Sequence, residues 1–428
     1  MIKILQVRNI DSFVESRRQK TSEKDRKTVQ AILNDVRKNG DSAVKKYERK
    51  FNGRKTSQLR VSAKEIKEAQ SKIGRGKEND AIWGAGTLRE NQSRIATRLP
   101  GLTRSVNVSY HIAKNSISFV PIPSVGCYIP GGQARYPSSA FMSVIPAKQA
   151  GVKRIVVVSP PGRDGKIDPL TIVAAKRFGA TEIYKVGGAQ AIGTLAYGTK
   201  SIPKVDKIVG PGGKFVSIAK SLVNDQVAID MVAGPTELGI IADASSDPEL
   251  VALDLISQAE HSSDTMCFVI TQSKTVAKQI QKSLEKLIPD VERSAIVKQS
   301  ISKNGFIAVC KNQNEMIELA NKIAPEHMEL MVKNAKTLSK KITGAGLLLI
   351  GKNTPSAASD YLLGSNHILP TNGFGRTRGG LSVLDFLKIQ TVVESNKKGL
   401  SKLRDSLKTL TDAEGLPNHY KAVKRRLD

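Results

Sequence analysis

Residues 153–187, with the sequence KRIVVVSPPGRDGKIDPLTIVAAKRFGATEIYKVG, contain the pattern that decides the fold. Residues 153–159 have the continuous apolar character of a buried strand, and residues 181–187 predict a second strand. Between them, residues 168–179 predict a helix that begins at Asp-Pro and ends at Gly. A strand, a helix of roughly ten residues and another strand indicate a βαβ unit and therefore a parallel sheet.

The same alternation extends beyond this stretch and then repeats. Residues 189–234 continue the first series, and a second series runs from a strand at 237–243 to a strand at 346–351. Its first helix, at 247–261, has Ser246 or Asp247 as a cap, Pro248 in the first turn and Glu249 to close a capping box. The sequence therefore predicts an α/β fold with two Rossmann-like, doubly wound parallel-sheet units in tandem.

Four regions follow from this pattern. Residues 1–118 predict a helical amino-terminal region, begun by a short strand at 2–6, which we expect to pack on the second α/β unit. Residues 119–235 form the first Rossmann-like unit and residues 236–385 the second. Residues 386–428 predict an extended helical carboxyl-terminal tail, of the kind that docks on a partner subunit.

The composition is that of a soluble globular protein, since 39% of the 428 residues are hydrophobic and 25% are charged. No apolar run approaches the ~20 residues that a membrane span needs, and the first residues lack the apolar core of a signal peptide. Three distant cysteines without a CxxC motif argue against a disulfide framework or a thiolate metal site. We therefore expect a cytoplasmic protein without a membrane partner.

The formal net charge of +28, from 67 Lys and Arg against 39 Asp and Glu, favours an anionic partner. The basic residues are spread along the chain, and only 4% of residues are aromatic, so platforms for stacking bases are scarce. Nucleic-acid binding is therefore not favoured as the main role. Anionic small-molecule cofactors would also benefit from the positive field.

The sequence Gln258-Ala259-Glu260-His261 is the first candidate site. It places an amide oxygen and an imidazole three residues apart, on one face of a helix, which is half of a metal site. Of the five histidines in the chain, four follow residue 260, each near a carboxylate or an amide: His261, His327, His367 and His419. The pattern indicates a polar site that suits Zn²⁺ or a similar divalent ion. HExxH is absent, and the remaining ligands stay open among Glu326, Asp360, His367, Glu414 and nearby residues.

Two further features are candidates for chemistry. Glu326 and His327 follow Pro325 at a helix-to-strand junction, where both could act as a general acid/base pair. Glycine-rich turns at 187–188 and 210–213 follow strands, and the second precedes a helix whose backbone NH groups could hold a phosphate. Neither GxGxxG nor GxxxxGK[ST] is present, so tight βα turns are the better interpretation of each turn taken alone.

Taken in order, nine motifs resemble those of the L-histidinol dehydrogenase family. They are VGCYIPGG (125–132), VGGAQAIGTLAYGT (186–199), VDKIVGPG (205–212), IDMVAGPTE (229–237), SQAEH (257–261), APEHMEL (324–330), SDYLLGSNHILPT (359–371), GGLSVLDFLK (379–388) and EGLPNH (414–419). The resemblance implies NAD⁺-dependent, zinc-dependent four-electron oxidation of L-histidinol through L-histidinal to L-histidine, the last step of histidine biosynthesis. It also implies that the first Rossmann-like unit binds NAD⁺.

The resemblance assigns roles to individual residues. It implies one Zn²⁺ per subunit, held by Gln258, His261, Asp360 and His419. Glu326 and His327 would be the acid/base pair. The substrate would contact Thr236, Gln258, His261, His327, Asp360, His367, Glu414 and His419, and NAD⁺ would contact Tyr128 and Gln190. His419 would come from the other subunit of a domain-swapped homodimer, so that the active site is shared and residues 386–428 are exchanged.

One position departs from the family pattern. Gly213 stands where the family usually has Asn after Gly-Pro-Gly, so a side-chain contact to the cofactor is lost there.

Two other functions are alternatives. A related dehydrogenase that oxidises another polar alcohol, such as a sulfonated propanediol, shares segments like SDYLLG and NHxLPT, whereas APEH and EGLPNH favour histidinol. A basic nucleic-acid-binding protein on the same fold would show steep salt-dependent binding and would not need a complete metal site.

Overall fold

The computed structural model of the chain describes residues 1–18, 22–53, 58–73, 85–105, 108–109, 113–131 and 135–428. Two residues of interest lie outside these ranges. They are His111, the histidine that precedes residue 260, and Gly132, the last residue of the motif VGCYIPGG. The amino-terminal region consists of β1 (Lys3–Gln6), α1 (Ile10–Arg17), α2 (Glu23–Asn39), α3 (Asp41–Asn52), α4 (Ala63–Ile73) and α5 (Gly86–Ser105). The strands β2 (Val108–Ser109) and β3 (Ala113–Pro121) follow and pair antiparallel.

The first α/β unit is built on five parallel strands. In chain order it contains β4 (Ser124–Tyr128), α6 (Pro137–Gln149), β5 (Arg154–Ser159), α7 (Pro169–Phe178), β6 (Glu182–Lys185), α8 (Gly188–Tyr197), β7 (Lys207–Val209), α9 (Lys214–Val223) and β8 (Ala228–Ile229). The spatial order is β6-β5-β4-β7-β8. The side chains of β5 are buried on both faces after its first residue, as a parallel sheet covered by helices on both sides requires.

Local signals in the sequence set the ends of α7. The carboxylate of Asp168 accepts hydrogen bonds from the backbone NH of Leu170 (3.0 Å) and of Thr171 (3.2 Å), and Pro169 occupies the first turn. Gly179 ends the helix in the left-handed conformation, with φ of 116°. The predicted Asp-Pro start and Gly stop are both present.

The second α/β unit is built on six parallel strands. It contains β9 (Glu237–Ala242), α10 (Pro248–Ala259), β10 (Met266–Thr271), α11 (Lys274–Leu287), α12 (Ser294–Lys303), β11 (Phe306–Val309), α13 (Gln313–Ile323), β12 (His327–Met331), α14 (Ala335–Ser339), β13 (Leu347–Ile350) and α15 (Ser356–Ser359), with 3-10 turns at Ile288–Asp290, Phe374–Arg376 and Val383–Phe386. The order is β1-β11-β10-β9-β12-β13. Of the two predicted caps of α10, Asp247 is the residue used: it accepts from the backbone NH of Glu249 at 2.9 Å.

The carboxyl-terminal region differs from the predicted helical tail. Residues after 386 first form a nine-residue strand, β14 (Leu387–Ser395), which pairs antiparallel with β3 along its whole length. The alternating, β-branched sequence LKIQTVVES suits this pairing. Three helices then complete the chain: α16 (Lys397–Ser401), α17 (Arg404–Ala413) and α18 (Pro417–Leu427). The helical prediction is therefore right only beyond residue 396.

The amino-terminal region contacts both units, whereas the sequence predicted packing on the second alone. β1 pairs with β11 at the edge of the second sheet and α1 packs on α13. The helices α2 and α3 pack instead on α8 of the first unit. The buried face of α2 joins the hydrophobic core of the first unit because Gly193 of α8 leaves room for it. A Cβ at Gly193 would lie 3.1 Å from the side chain of Leu33. The apolar stripe of α2 is visible in the sequence, but the surface that it covers is not.

No helix among the described residues is long and apolar enough to cross a bilayer.

Candidate active site

Chemistry-bearing side chains gather at the amino ends of β9 and β12, which are neighbours in the middle of the second sheet. Parallel pairing sets His327 opposite Leu238, so the residues just before each strand lie side by side. The helix α10 runs back from the carboxyl end of β9, and its last turn therefore reaches the same end of the sheet. This geometry brings the predicted half-site on α10 to the predicted acid/base pair.

Glu326 is buried and held from two directions. Its Oε2 accepts hydrogen bonds from the hydroxyl of Thr236 and from the backbone NH of Glu237, the latter at 3.0 Å. Burial raises the pKa of Glu326, and these donors and the nearby His327 oppose the rise. A carboxyl group whose pKa is raised by burial and whose orientation is fixed by hydrogen bonds is suited to exchanging a proton with a bound reactant.

His327 is oriented by the main chain. Its Nδ1 lies 3.2 Å from the carbonyl oxygen of Glu237, and its Nε2 lies 3.1 Å from Oδ1 of Asp360. Because a carbonyl only accepts, Nδ1 is the donor and Nε2 is the nitrogen directed at the other polar groups. Burial lowers the pKa of His327, but the carboxylates of Glu326 and Asp360 outweigh it and bring the pKa to about 9.

Asp360 and His367 are fixed together in the loop that follows α15. Nδ1 of His367 lies 2.9 Å from the carbonyl oxygen of Asp360, and Nε2 of His367 lies 3.3 Å from the hydroxyl of Ser139 on α6 of the first unit. Burial lowers the pKa of His367. Burial would raise the pKa of Asp360, but the hydrogen bond and charge of His327 outweigh it, and the net pKa is lowered. Asp360 is therefore an ionised group beside two imidazoles.

The last turn of α10 supplies the remaining side chains. Gln258 is buried, and its Nε2 donates to Oγ1 of Thr236 at 2.6 Å, which leaves the amide oxygen as the atom that can ligate a cation. His261 lies in the electrostatic field of Asp360 and is solvent-exposed in the single chain. Gln258, Thr236, Glu326, His327, Asp360 and His367 thus form one continuous line of contacts.

The donor set of a zinc ion is incomplete within one chain. Among the described residues, no three His, Cys, Asp or Glu side chains are arranged to hold a metal ion. Gln258, His261 and Asp360 together offer amide oxygen, imidazole and carboxylate donors, which are ligand types that Zn²⁺ accepts. Glu414 and His419, which the sequence predicts in the same site, are exposed on the carboxyl-terminal tail. These donor types suit zinc, but the described residues of one chain do not bring a complete set of ligands together.

The predicted cofactor residues lie in the first unit, at the carboxyl ends of its strands. Tyr128 ends β4, and its hydroxyl accepts from the backbone NH of Gly188 at 3.1 Å. Gln190 is buried in α8, and its Nε2 donates to Oε1 of Glu48 at 2.8 Å. Glu48 also accepts from the backbone NH of Gly187 at 2.9 Å. Both predicted residues therefore brace the Gly187–Gly188 turn.

The second glycine-rich turn lies where the order of the first sheet reverses, between β4 and β7. This is the position at which doubly wound sheets bind ligands. Gly210 has φ of 110°, and a Cβ there would lie 2.2 Å from the carbonyl oxygen of Tyr128, so only glycine fits. Gly213 begins α9 without a side-chain cap, has φ of −65° and faces open space. A side chain is therefore sterically possible at residue 213.

Sequence reasoning missed two polar residues of the site. Glu237 is buried at the start of β9 and accepts from the backbone NH of Asn372 (3.0 Å) and of Glu326 (3.3 Å). Burial raises its pKa to about 8. Ser139 contacts His367 from the other unit. Glu237 could have been recognised, because a glutamate at the first position of an apolar strand is unusual. Nothing in the sequence indicates that Ser139 contacts His367, which is 228 positions away.

A family model described as histidinol dehydrogenase matches residues 15–427. The chain belongs to the histidinol dehydrogenase family. The histidinol dehydrogenase of Methanococcus maripaludis is 43% identical over 406 residues, which cover 94% of this chain and 93% of that protein. That of Oceanobacillus iheyensis is 41% identical over 398 residues, which cover 93% and 92%. The crystal structure of histidinol dehydrogenase from Elizabethkingia anophelis matches with a TM-score of 0.90 and 32% identity, covering 100% of this chain and 98% of that one.

Membership of the histidinol dehydrogenase family confirms the resemblance that the sequence motifs indicated, together with the α/β fold. It makes the protein an oxidoreductase of histidine biosynthesis.

Proposed function

We propose that the protein catalyses the NAD⁺-dependent, zinc-dependent four-electron oxidation of L-histidinol, through L-histidinal, to L-histidine. The observation that supports this most directly is the line of contacts from Gln258 to His367, which joins the predicted ligands to the predicted acid/base pair. An alcohol oxidised twice at one site needs a group for the alcohol proton and a group that activates water. Both are present within that line.

Zinc, when bound, would supply a positive charge that orients L-histidinol in the site. Gln258, His261 and Asp360 are the residues of this chain that would hold it. The hydrogen bond from Gln258 to Thr236 fixes the amide in the orientation that presents its oxygen. The hydrogen bond from His367 to the main chain of Asp360 steadies the loop that carries the carboxylate.

In the first oxidation His327, in the form with an unprotonated Nε2, is the group that accepts the alcohol proton. A cation held by Asp360 would offset the charge of that carboxylate, which raises the pKa of His327, and would favour this form. Its Nδ1 contact with the backbone of Glu237 fixes the ring, so that Nε2 is directed into the site. NAD⁺, when bound to the first unit, would supply the hydride acceptor for both oxidations. In the second oxidation Glu326, oriented by Thr236, draws a proton from the water that attacks the aldehyde.

We propose that two subunits complete each site. His261 and the neighbouring residues Tyr361, Leu362 and Leu363 are exposed in the single chain, although they border the buried site. The tail carries Glu414 and His419, also exposed, together with exposed Leu410 and Leu416. A tail exchanged between subunits would cover both apolar sets and add the missing imidazole donor.

We propose that NAD⁺ binds the first unit at its order reversal, beside Gly210–Gly213, and that Tyr128 and Gln190 shape this site through the turn that they brace. Cysteines 127, 267 and 310 are buried and free, which suits the cytoplasmic location that the sequence predicts.

The test is NADH production from L-histidinol by the full-length protein, with and without a zinc chelator. We expect two NADH per L-histidinol, because four electrons need two hydride acceptors. Activity should disappear with the chelator and return with added Zn²⁺. One NADH per alcohol, or oxidation of a sulfonated propanediol in preference to L-histidinol, would contradict the proposal.

A further inference from the structure

Three separate elements carry the predicted zinc ligands and the acid/base pair. The helix α10 carries Gln258 and leads to His261, the strand β12 begins at His327, and the short helix α15 leads into Asp360. Their side chains must keep fixed separations if one metal ion and one substrate are to contact all of them, because errors of about 1 Å are costly in catalysis. Something has to join these elements to one another.

A pair of carboxyl groups, one buried and one partly buried, lies where the three elements meet. Asp254 of α10 and Glu329 of β12 face each other. Glu329 is 2% exposed, and its Oε1 accepts from the backbone NH of Ser356, the first residue of α15, at 2.7 Å. One side chain of β12 therefore contacts both of the other elements.

Each residue of this junction lies one structural repeat from a functional residue. Asp254 precedes Gln258 by four residues, which places both on one face of α10. Glu329 follows His327 by two residues, which places both on one face of β12. Ser356 precedes Asp360 by four residues in the segment that includes α15. A shift at the junction is therefore transmitted directly to the site.

The contact between the two carboxyl groups requires a proton. Oε2 of Glu329 is buried, and no ordinary hydrogen-bond donor of the described part of the chain contacts it. Its neighbour is the carboxyl group of Asp254, and two ionised carboxylates have acceptors only. A hydrogen bond between them forms only when one is protonated, as in other closely spaced carboxyl pairs.

The surroundings favour Glu329 as the protonated partner. Burial raises its pKa to about 8, with the charge of Asp254 adding to the rise and the NH of Ser356 and the charge of His327 opposing it. Burial also raises the pKa of Asp254, to about 6. Cys267 of β10 is a further titratable group that feels the charge of Glu329, and its buried thiol has a raised pKa and stays neutral. Near neutral pH Glu329 donates and Asp254 accepts.

We propose that Asp254 and Glu329 are positioning residues, which share one proton and thereby hold α10, β12 and the segment before Asp360 in the arrangement that the zinc site requires. The proposal rests on the proposed function, since it assigns the pair a role toward that same site. Loss of the shared proton leaves two neighbouring negative charges, one of them buried, that repel each other, and the three elements then separate.

The experiment compares two substitutions at one residue, with zinc affinity as the readout. In Glu329→Gln the amide donates to Asp254 and its oxygen still accepts from Ser356, so the junction survives without a titrating proton. In Glu329→Leu both bonds are lost at similar volume. At about pH 7 we expect Glu329→Gln to bind zinc as the unchanged protein does, and Glu329→Leu to bind it about 10- to 100-fold more weakly, the range for residues that orient metal ligands.

Raising the pH to about 9.5 distinguishes a junction held by a shared proton from one held by side-chain packing alone. The unchanged protein should lose zinc affinity relative to Glu329→Gln by about tenfold, and the rate of NADH production should follow. Asp254→Asn, whose amide donates to an ionised Glu329, should behave as Glu329→Gln does. The proposal is overturned if Glu329→Gln falls with Glu329→Leu at neutral pH, or if the unchanged protein and Glu329→Gln have parallel pH profiles.

Because zinc binding is measured directly and not through activity, failure of this proposal can be distinguished from failure of the proposed function. If zinc binds with the expected differences but L-histidinol is not oxidised, the assigned reaction is wrong and the junction stands. If zinc does not bind, the pH dependence of thermal unfolding tests whether Asp254 and Glu329 share a proton. The pKa of Glu329 is raised in the folded state from an ordinary 4.5 to about 8, so its stabilising effect is complete at low pH and is lost as pH rises to that value. The melting temperature of the unchanged protein should fall over this range, and parallel behaviour in Glu329→Gln would overturn the proposal.

Discussion

The two α/β units have the same strand order, but their candidate functional residues lie at opposite ends of the strands. In the first unit the order is β6-β5-β4-β7-β8, and in the second it is β11-β10-β9-β12-β13, with β1 added at the edge. The glycine-rich turns of the first unit lie at the carboxyl ends of its strands. Glu326 and His327 of the second unit lie at the amino end of β12. A shared topology therefore does not determine where the chemistry lies.

The beginnings of several helices also differ between the two units. In the second unit α10, α11 and α13 begin with side-chain caps from Asp247, Ser273 and Asn312. In the first unit α8 and α9 begin at Gly187 and Gly213 without such caps. Side chains therefore occupy the starts of these three helices, as Asp168 does at α7 of the first unit, whereas the uncapped start of α9 is suited to an anionic ligand.

Glutamates of the two units also differ in the direction in which their surroundings shift the pKa. In the first unit Glu182 contacts Arg154 and Tyr184, and although burial opposes them, these partners lower its pKa. In the second unit burial dominates and raises the pKa of Glu237, Glu326 and Glu329. Partners at the margin of the first sheet stabilise charge, and the interior of the second favours the protonated form.

The largest effect should come from Glu326→Gln in the second unit. It removes the group that activates water, so the oxidation of L-histidinal should slow by about 10²- to 10⁴-fold, and the oxidation of L-histidinol to the aldehyde should slow much less. Single-turnover NADH formation from each compound measures this. Glu260→Gln, an exposed residue beside the same site, is the control and should change neither. Equal losses in the two half-reactions would remove the separate roles of Glu326 and His327.

The next effect tests whether the second unit is completed by a partner subunit. His419→Asn should lower zinc occupancy and activity, and Asp360→Asn should do the same, because each removes a proposed ligand. Equal amounts of the two variants, mixed so that subunits exchange, should recover activity in roughly a quarter of the sites, since half of the dimers are mixed and each contains one intact site. Lys421→Gln, on the same tail helix, is the control. Absence of recovery after verified exchange contradicts a shared site.

A smaller effect concerns the first unit and its acid stability. Glu182→Gln should destabilise the protein by about 1–3 kcal/mol near pH 7, because a charged hydrogen-bond pair with Arg154 is lost. The pKa of Glu182 is lowered in the folded state. Its stabilising effect is therefore present above the ordinary glutamate pKa and is lost as pH falls through the folded value. Urea unfolding at neutral and at acidic pH should show the two proteins converge in acid. A difference that persists there would mean that packing, not charge, was lost.

The smallest effect is expected from Gly213→Asn. The backbone at residue 213 is unstrained and its surroundings are open, so the amide can cap α9 and adds a few tenths of a kcal/mol of stability. It also restores the residue that the family pattern has there, and we expect KM for NAD⁺ to fall while kcat stays the same. Gly213→Ala is the matched control. An equal fall of KM in Gly213→Ala would show that the polar contact is not the cause.

Much of the site was predictable because its signals are local. Gln258 and His261 lie on one helical turn, and Glu326 and His327 are adjacent, so each half of the site is visible in a few residues. Their meeting depends on the pairing of β9 with β12 and on the return of α10, which are long-range events. The roles of these residues stay predictions that the experiments above test.

By itself, the sequence determined the alternation of strands and helices, the ends of α7 at Asp168 and Gly179, and the two local halves of the site. These depend on periodicity and on contacts within one or two turns, which neighbouring residues specify completely. Only the tertiary structure decided that α2 covers the first sheet, that β14 pairs with β3, and that Glu329 meets Asp254. An amphipathic helix, an exposed strand or a buried glutamate specifies the kind of partner that it needs, and the packing of the whole chain decides which one it receives.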